Sequence, residues 1–282
     1  MTELHPILDI KSRVSIAAHV RYQMMERFVP TPGGGDSKRR GQRGADDLLT
    51  TPRLPFQQIV TAVAMTRVEH ADGNIEPLER MTLSNPVLDE REIIEGLFAV
   101  IASLPVGESE LVMFGGANHD MPLLVVRAMS YGLTSPKGWD WMAFGSQGKV
   151  PHLGLLRAVT GAFKLKAIHM VELAGLLDVP AKVSDVAWST ARHIKDERWG
   201  TVQSMCECNV ITAAQLFATW RTLLDGHCPV DTAHNRICRK VEELRPHRGY
   251  THAFTAKRAA LFERRIIAAK AKLETCSGAY AG

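Results

Sequence analysis

No uninterrupted apolar run in the 282 residues approaches the roughly 18 that a membrane-crossing helix needs, so no transmembrane helix is expected. The opening Met-Thr-Glu-Leu-His-Pro lacks a basic stretch followed by an apolar one. No secretory signal is expected, and the reading is cytoplasmic. Cysteine is scarce, with five residues confined to the last third at Cys206, Cys208, Cys228, Cys238 and Cys276. An odd, late set of this kind is no disulfide framework. Cys206 and Cys208 with Cys228, His234 and Cys238 could be arranged around zinc, but the first pair lacks the usual two-residue spacing and sits in a helical stretch. Reduced, partly buried thiols are the expectation. Net charge is small at +4, which permits an acidic partner without arguing for one. Gly33-Gly34-Gly35 follow no strand and precede no Gly-Lys-Ser/Thr, so they do not form a phosphate-cradling loop. There is no internal repeat.

What is present is an ordinary soluble composition, 45% hydrophobic and 23% charged, in a chain long enough for one large domain with additions. Residues 5–10 read as a short strand with Asp9 near its end. Residues 30–55, with three glycines, Lys38, Arg39, Arg40 and Arg43, cannot build a core and read as a flexible basic loop able to help hold a phosphate backbone. Residues 59–68 and 75–83 read as strands joined at the Asp72-Gly73 turn, an antiparallel hairpin. Residues 89–102 have apolar groups at helical spacing, and 111–114 form a further strand. Early hairpin strands followed by a strand reached through a helix predict a mixed sheet in an α/β domain. Beyond it, 137–150 reads as a surface segment whose Trp139, Trp141 and Phe144 seal apolar surface. Residues 152–159 and 165–177 read as helices, 197–224 as a long helix stopped by Gly226, and 231–273 as a basic helical tail.

The stretch 114–124 organises the rest. An apolar run enters a Gly-Gly turn, then Asp120-Met121-Pro122 opens an amphipathic helix reaching about Tyr131. Asp120 can cap the helix while presenting an oxygen to a cleft. Pro122 suits the first helical turn, where a missing N–H costs nothing.

These stretches together resemble the predicted 3′–5′ exonucleases related to the proofreading domain of family B DNA polymerases, a branch of the ribonuclease H-like fold. The residues that carry it are Ile7-Leu8-Asp9-Ile10, Leu54-Pro55-Phe56, the 114–128 segment around Asp120, 176–182, and 205–212 around Asn209. The resemblance covers about 6–226, with 227–282 a helical basic C-terminal extension. It implies a ribonuclease H-like mixed sheet flanked by helices. It also implies two divalent cations, Mg²⁺ or Mn²⁺, held by four carboxylates, with a tyrosine orienting the attacking water.

Carried over by position, Asp9 and Asp120 are retained. The Glu position is Lys11, the late Asp is Asn209, the Tyr is Met205, and a further acid is Gly154 after His152. A like-charge contact between Lys11 and a cation at about 4 Å costs on the order of 4 kcal/mol per unit of metal charge. Asn209 offers only a neutral oxygen where magnesium prefers charged, hard ligands. Lys11 is expected to pair with Asp9 or Asp120 and to leave a cleft that accepts phosphate. The implied function is nucleic-acid binding, to single-stranded DNA ends or RNA, with two-metal cleavage impaired or lost and with Asn118, His119, Lys38, Arg39 and Arg40 contributing. Two alternatives stand beside it: an active exonuclease using Asp9, Asp120 and a substitute such as Glu207 or Asp185, and a protein-interaction scaffold.

Overall fold

The computed structural model describes residues 3–26, 54–69, 75–105, 109–116, 118–139, 152–161, 168–182, 190–226 and 228–278. Its strands are β1 (Glu3–Val14), β2 (Gln57–Glu69), β3 (Ile75–Ser84), β4 (Leu111–Met113) and β5 (His152–Gly154). Its helices are α1 (Ile16–Glu26), α2 (Glu90–Ala102), α3 (Asp120–Ser130), α4 (Leu155–Val159), α5 (Met170–Leu176), α6 (Thr190–Lys195), α7 (Trp199–Asp225), α8 (Val230–Leu244) and α9 (Thr251–Gly278).

β1 is apolar on both faces, burying Ile7 on one and Leu8 and Ile10 on the other, and such a strand belongs in the middle of a covered sheet. β2 pairs antiparallel with β1, and β3 antiparallel with β2. β4 joins the other edge of β1 in parallel, followed by β5, giving the order β3-β2-β1-β4-β5. This is the mixed α/β sheet expected.

Separate helices cover the two faces. α2 and α3 bury Ile93, Ile94, Leu97, Met121, Leu123 and Leu124 against Leu8, Ile10 and Ile59. Asp89 and Glu92 close a capping box that starts α2. The Glu90 carboxylate ties this layer together: it accepts Arg127 through Nε (2.7 Å) and Nη2 (2.5 Å), the Ile59 amide (2.7 Å) and the Tyr131 hydroxyl (2.9 Å). On the opposite face lies α7, ended by Gly226 at φ 66°, a conformation that favours glycine. Ala233, Ile237, Cys238, Val241, Tyr250 and Phe254 join residues of α7 and Ile7 in one cluster, so helices after residue 226 close the same core as the sheet.

Several expectations need correcting. β1 is twice the length read at 5–10, because antiparallel pairing with β2 continues past Lys11 to Val14. The α1 helix was not anticipated. Residues 152–154 are a strand, not the start of a helix: three residues are too few to show alternation, and pairing with β4 decides the matter. The tail from 231 is two helices, broken at 245–250, where Pro246 cannot continue α8. Trp139 is buried against Phe98, ring centroids 5.6 Å apart, as an apolar seal. Trp141, Phe144, the Asp72-Gly73 turn, residues 165–167 of the helix read at 165–177, and the loop carrying Lys38, Arg39 and Arg40 lie outside the described residues.

Candidate functional site

Asp9 and Lys11 are two residues apart on β1 and so leave it on the same face, the one that α7 covers. Lys11 Nζ stands 2.5 Å from Asp9 Oδ2. Asn209 Nδ2 reaches both Asp9 carboxylate oxygens at 3.3 Å, and the Cys206 thiol meets the Asp9 carbonyl at 3.2 Å. Met205 and Asn209 lie one turn apart on α7 and both line the cleft.

Asp120 arrives from the other side, at the end of β4. The turn before it needs glycine at 116, since a Cβ there would fall 2.3 Å from Met113 Sδ. Asp120 is the first residue of α3 rather than its cap, and the capping position belongs to His119, which makes no side-chain cap hydrogen bond. The Asp120 oxygen that was expected on helix amides is instead 2.8 Å from His119 Nδ1. His119 Nε2 lies 3.0 Å from Gln57 Oε1, which also accepts Ser12 Oγ at 2.5 Å. The Asp120 hydrogen bond raises the His119 pKa against the opposing effect of burial.

Asp9, Lys11, His119, Asp120, Met205 and Asn209 therefore border one cavity of about 480 Å³, together with Lys182 and His169. Burial pulls the Lys11 ammonium down, but the touching Asp9 carboxylate outweighs it and holds Lys11 above its ordinary range. Burial raises the Asp9 carboxyl, an effect that Lys11 opposes and the Asp120 charge reinforces. Lys182 is lowered first by burial and then by the Lys11 charge; its Nζ is 3.2 Å from His169 Nε2.

Other candidates do not join this group. Glu207 is buried away from the cleft, accepting Tyr250 Oη at 2.8 Å, Arg248 Nη2 at 3.2 Å and Thr82 Oγ1 at 3.1 Å. Two residues along a helix from Met205 is a turn of about 200°, which carries its side chain to the opposite side. This removes it as a substitute metal ligand. Asn118 is exposed on the turn and is not a lining residue. Gly154 ends β5 with no carboxylate to offer. Asp185 lies outside the described residues. Sequence reasoning assigned no role to Ser12, Gln57, His169, Lys182 or Thr190; hydroxyl, amide and single basic residues carry no spacing signature that singles them out.

The residues present do not fit two divalent cations. Each acid already has its own basic partner, and Asn209 turns its amide nitrogen, not its oxygen, toward Asp9. Among the described residues no group of three or more His, Cys, Asp or Glu could hold a metal ion.

Comparison with known proteins agrees with the resemblance seen in the motifs. A family model described as a predicted 3′–5′ exonuclease related to the exonuclease domain of PolB matches residues 50–256. No curated protein matches. Among solved structures, the family B DNA polymerase of the hyperthermophilic archaeon Pyrobaculum calidifontis is similar over 86% of this chain at 12% identity, with a TM-score of 0.42. The chain spans 29% of that polymerase's length. The match over residues 50–256 takes in most of the sequence, and the chain belongs to the family of predicted 3′–5′ exonucleases related to the PolB exonuclease domain.

Proposed function

We propose that this chain is an exonuclease-derived domain that binds single-stranded nucleic acid, with DNA ends the favoured ligand, and has lost efficient two-metal hydrolysis. The observation that carries this is the Lys11 ammonium seated 2.5 Å from Asp9, with Asn209 on the same carboxylate. A two-metal nuclease needs these positions to be anionic, because clustered carboxylates offset the cations and the cations in turn lower the pKa of the attacking water. Here the cleft carries the Lys11 and Lys182 ammonium groups, joined by His119 when it is protonated, against Asp9 and Asp120. A terminal phosphate entering the cleft meets ammonium groups directly, and charge-assisted contacts of this kind need no metal. The chain's overall charge of +4 adds a mild long-range attraction.

The test is to measure oligonucleotide binding by fluorescence anisotropy in EDTA and in Mg²⁺ or Mn²⁺, alongside degradation of 3′-labelled single-stranded DNA. The expectation is binding that persists in EDTA and weakens steeply with salt, at a slope of roughly 0.7 per phosphate contacted, and no metal-dependent trimming. Robust trimming abolished by Asp120→Asn would instead establish an active enzyme. Absence of salt-dependent binding in every buffer would favour a protein scaffold.

A further inference from the structure

The last helix, α9, has an exposed apolar seam that the nucleic-acid reading does not use. Phe262, Ile266 and Leu273 are 64%, 41% and 71% exposed, far above what large apolar groups show inside a core. With Ala269 they alternate at steps of four, three and four residues, the a/d spacing of a coiled-coil strand. The same register runs backward through Ala259 and Thr255. Those two, with Phe262, line a cavity of about 370 Å³ shared with Asn235 and Glu242 of α8. The seam thus starts in a groove between α8 and α9, floored by small residues, and continues along α9 alone, roughly 27 Å in all at 1.5 Å per residue. Ile267, also exposed, lies off this line.

Charge beside the seam decides what fits it. The g positions are Arg258, Arg265 and Lys272, and the e positions include Glu263 and Lys270. In an antiparallel pair of copies the basic g rows would face each other; in a parallel pair Arg265 would face Lys270, while Arg258, which would face Glu263, is already held by Glu242. Both arrangements set like charges together, which disfavours self-association. Arg258 is held by Glu242, and Arg265 donates to Thr232 Oγ1 at 2.9 Å, so these groups stand ordered at the groove rather than folded over it. A polyanion such as RNA would satisfy the basic rows but would leave Phe262, Ile266 and Leu273 uncovered. We infer that this surface docks an amphipathic helix of a partner protein whose apolar stripe is flanked by Asp and Glu.

The test uses the full chain and a synthetic four-heptad peptide with Leu at a and d and Glu at e and g. A control peptide has Ser at a and d. Anisotropy should show binding of the Leu/Glu peptide, at least about tenfold weaker binding of the control, and a similar loss with Ile266→Asp/Leu273→Asp. Because those changes could loosen the helix, Arg265→Glu/Lys272→Glu is the second variant. It should lose the Leu/Glu peptide and gain one with Lys at e and g, at unchanged helicity by circular dichroism. Equal binding of both peptides, or none, overturns the inference. Dimers that disappear on Ile266→Asp in light scattering overturn it in favour of a second copy. Oligonucleotide binding abolished by Ile266→Asp/Leu273→Asp overturns it in favour of nucleic acid.

Discussion

Replacing Lys11 with Met removes the ammonium and keeps most of the aliphatic stem, leaving the Asp9 carboxylate with the Asn209 amide but without its lysine. Both side chains are largely buried, 17% exposed for Lys11 and 14% for Asp9, so solvent screens the pair poorly. Breaking one half of a buried pair costs about 3–5 kcal/mol, because the other charge stays behind uncompensated. At about 2–4 °C per kcal/mol for a chain of this size class, the melting temperature should fall by roughly 10 °C. Asp9→Asn alone strands the ammonium and should cost a similar amount. The two together strand nothing, so their combined cost should be less than the sum of the single costs by about 3 kcal/mol. Urea unfolding of the four proteins, at unchanged m-values, measures that difference. Additive costs, or a Lys11→Met cost below about 1 kcal/mol, would refute the claim that Lys11 neutralises Asp9 in this cleft.

Placing acids and a tyrosine at the assigned positions with Lys11→Glu, Asn209→Asp and Met205→Tyr should raise Mg²⁺ affinity above that of the parent, seen as a calorimetric binding heat and a metal-dependent rise in melting temperature; no heat would count against the positional assignment. Glu207→Ala should lower stability by about 3–5 kcal/mol, since Arg248 then loses its buried acid, while oligonucleotide affinity in the folded protein stays within about twofold; a selective loss of affinity would place Glu207 in the site after all. His5, buried, has a pKa lowered to about 3, first by burial and then by the Arg67 charge. A histidine whose folded pKa is depressed contributes stability above its unfolded value near 6.5 and loses it as pH falls, on the order of 3 kcal/mol by pH 4. His5→Asn should therefore flatten the stability profile between pH 6.5 and 4, and an unchanged slope would show that other groups drive acid unfolding.

The sequence was legible where local chemistry and local geometry coincide. Residues 59–68 alternate apolar groups in a run too β-branched for a helix, and 111–124 announces strand, glycine turn and helix in order. Asp9, Lys11, Asp120, Met205 and Asn209 could be matched to family positions because each sits in its own recognisable segment, and the fold brings all five to one cleft. What could not be read depends on contacts between distant segments. His152–Gly154 is a strand only because β4 lies beside it. His119 pairs with its neighbour Asp120, but its second partner, Gln57, is 62 residues away. Glu207 looked available in the one-dimensional string, and only the turn of α7 together with the return of Arg248 and Tyr250 commits it to the core.

The departures from the family pattern share one direction. On the positional assignment that the resemblance implies, Lys11 stands where a Glu is expected, a shift of two charge units, and Asn209 and Gly154 stand where acids are expected, a shift of one each. Random loss of an active site would produce neutral or mixed replacements and leave some acids stranded in a low-dielectric cleft, each carrying a penalty of several kcal/mol. In this cleft the remaining acids are each in contact with a basic group, Asp9 with Lys11 and Asp120 with His119. A lysine ammonium attracts phosphate but cannot lower the pKa of a coordinated water as a divalent cation does, which is why the proposed function pairs nucleic-acid binding with loss of hydrolysis.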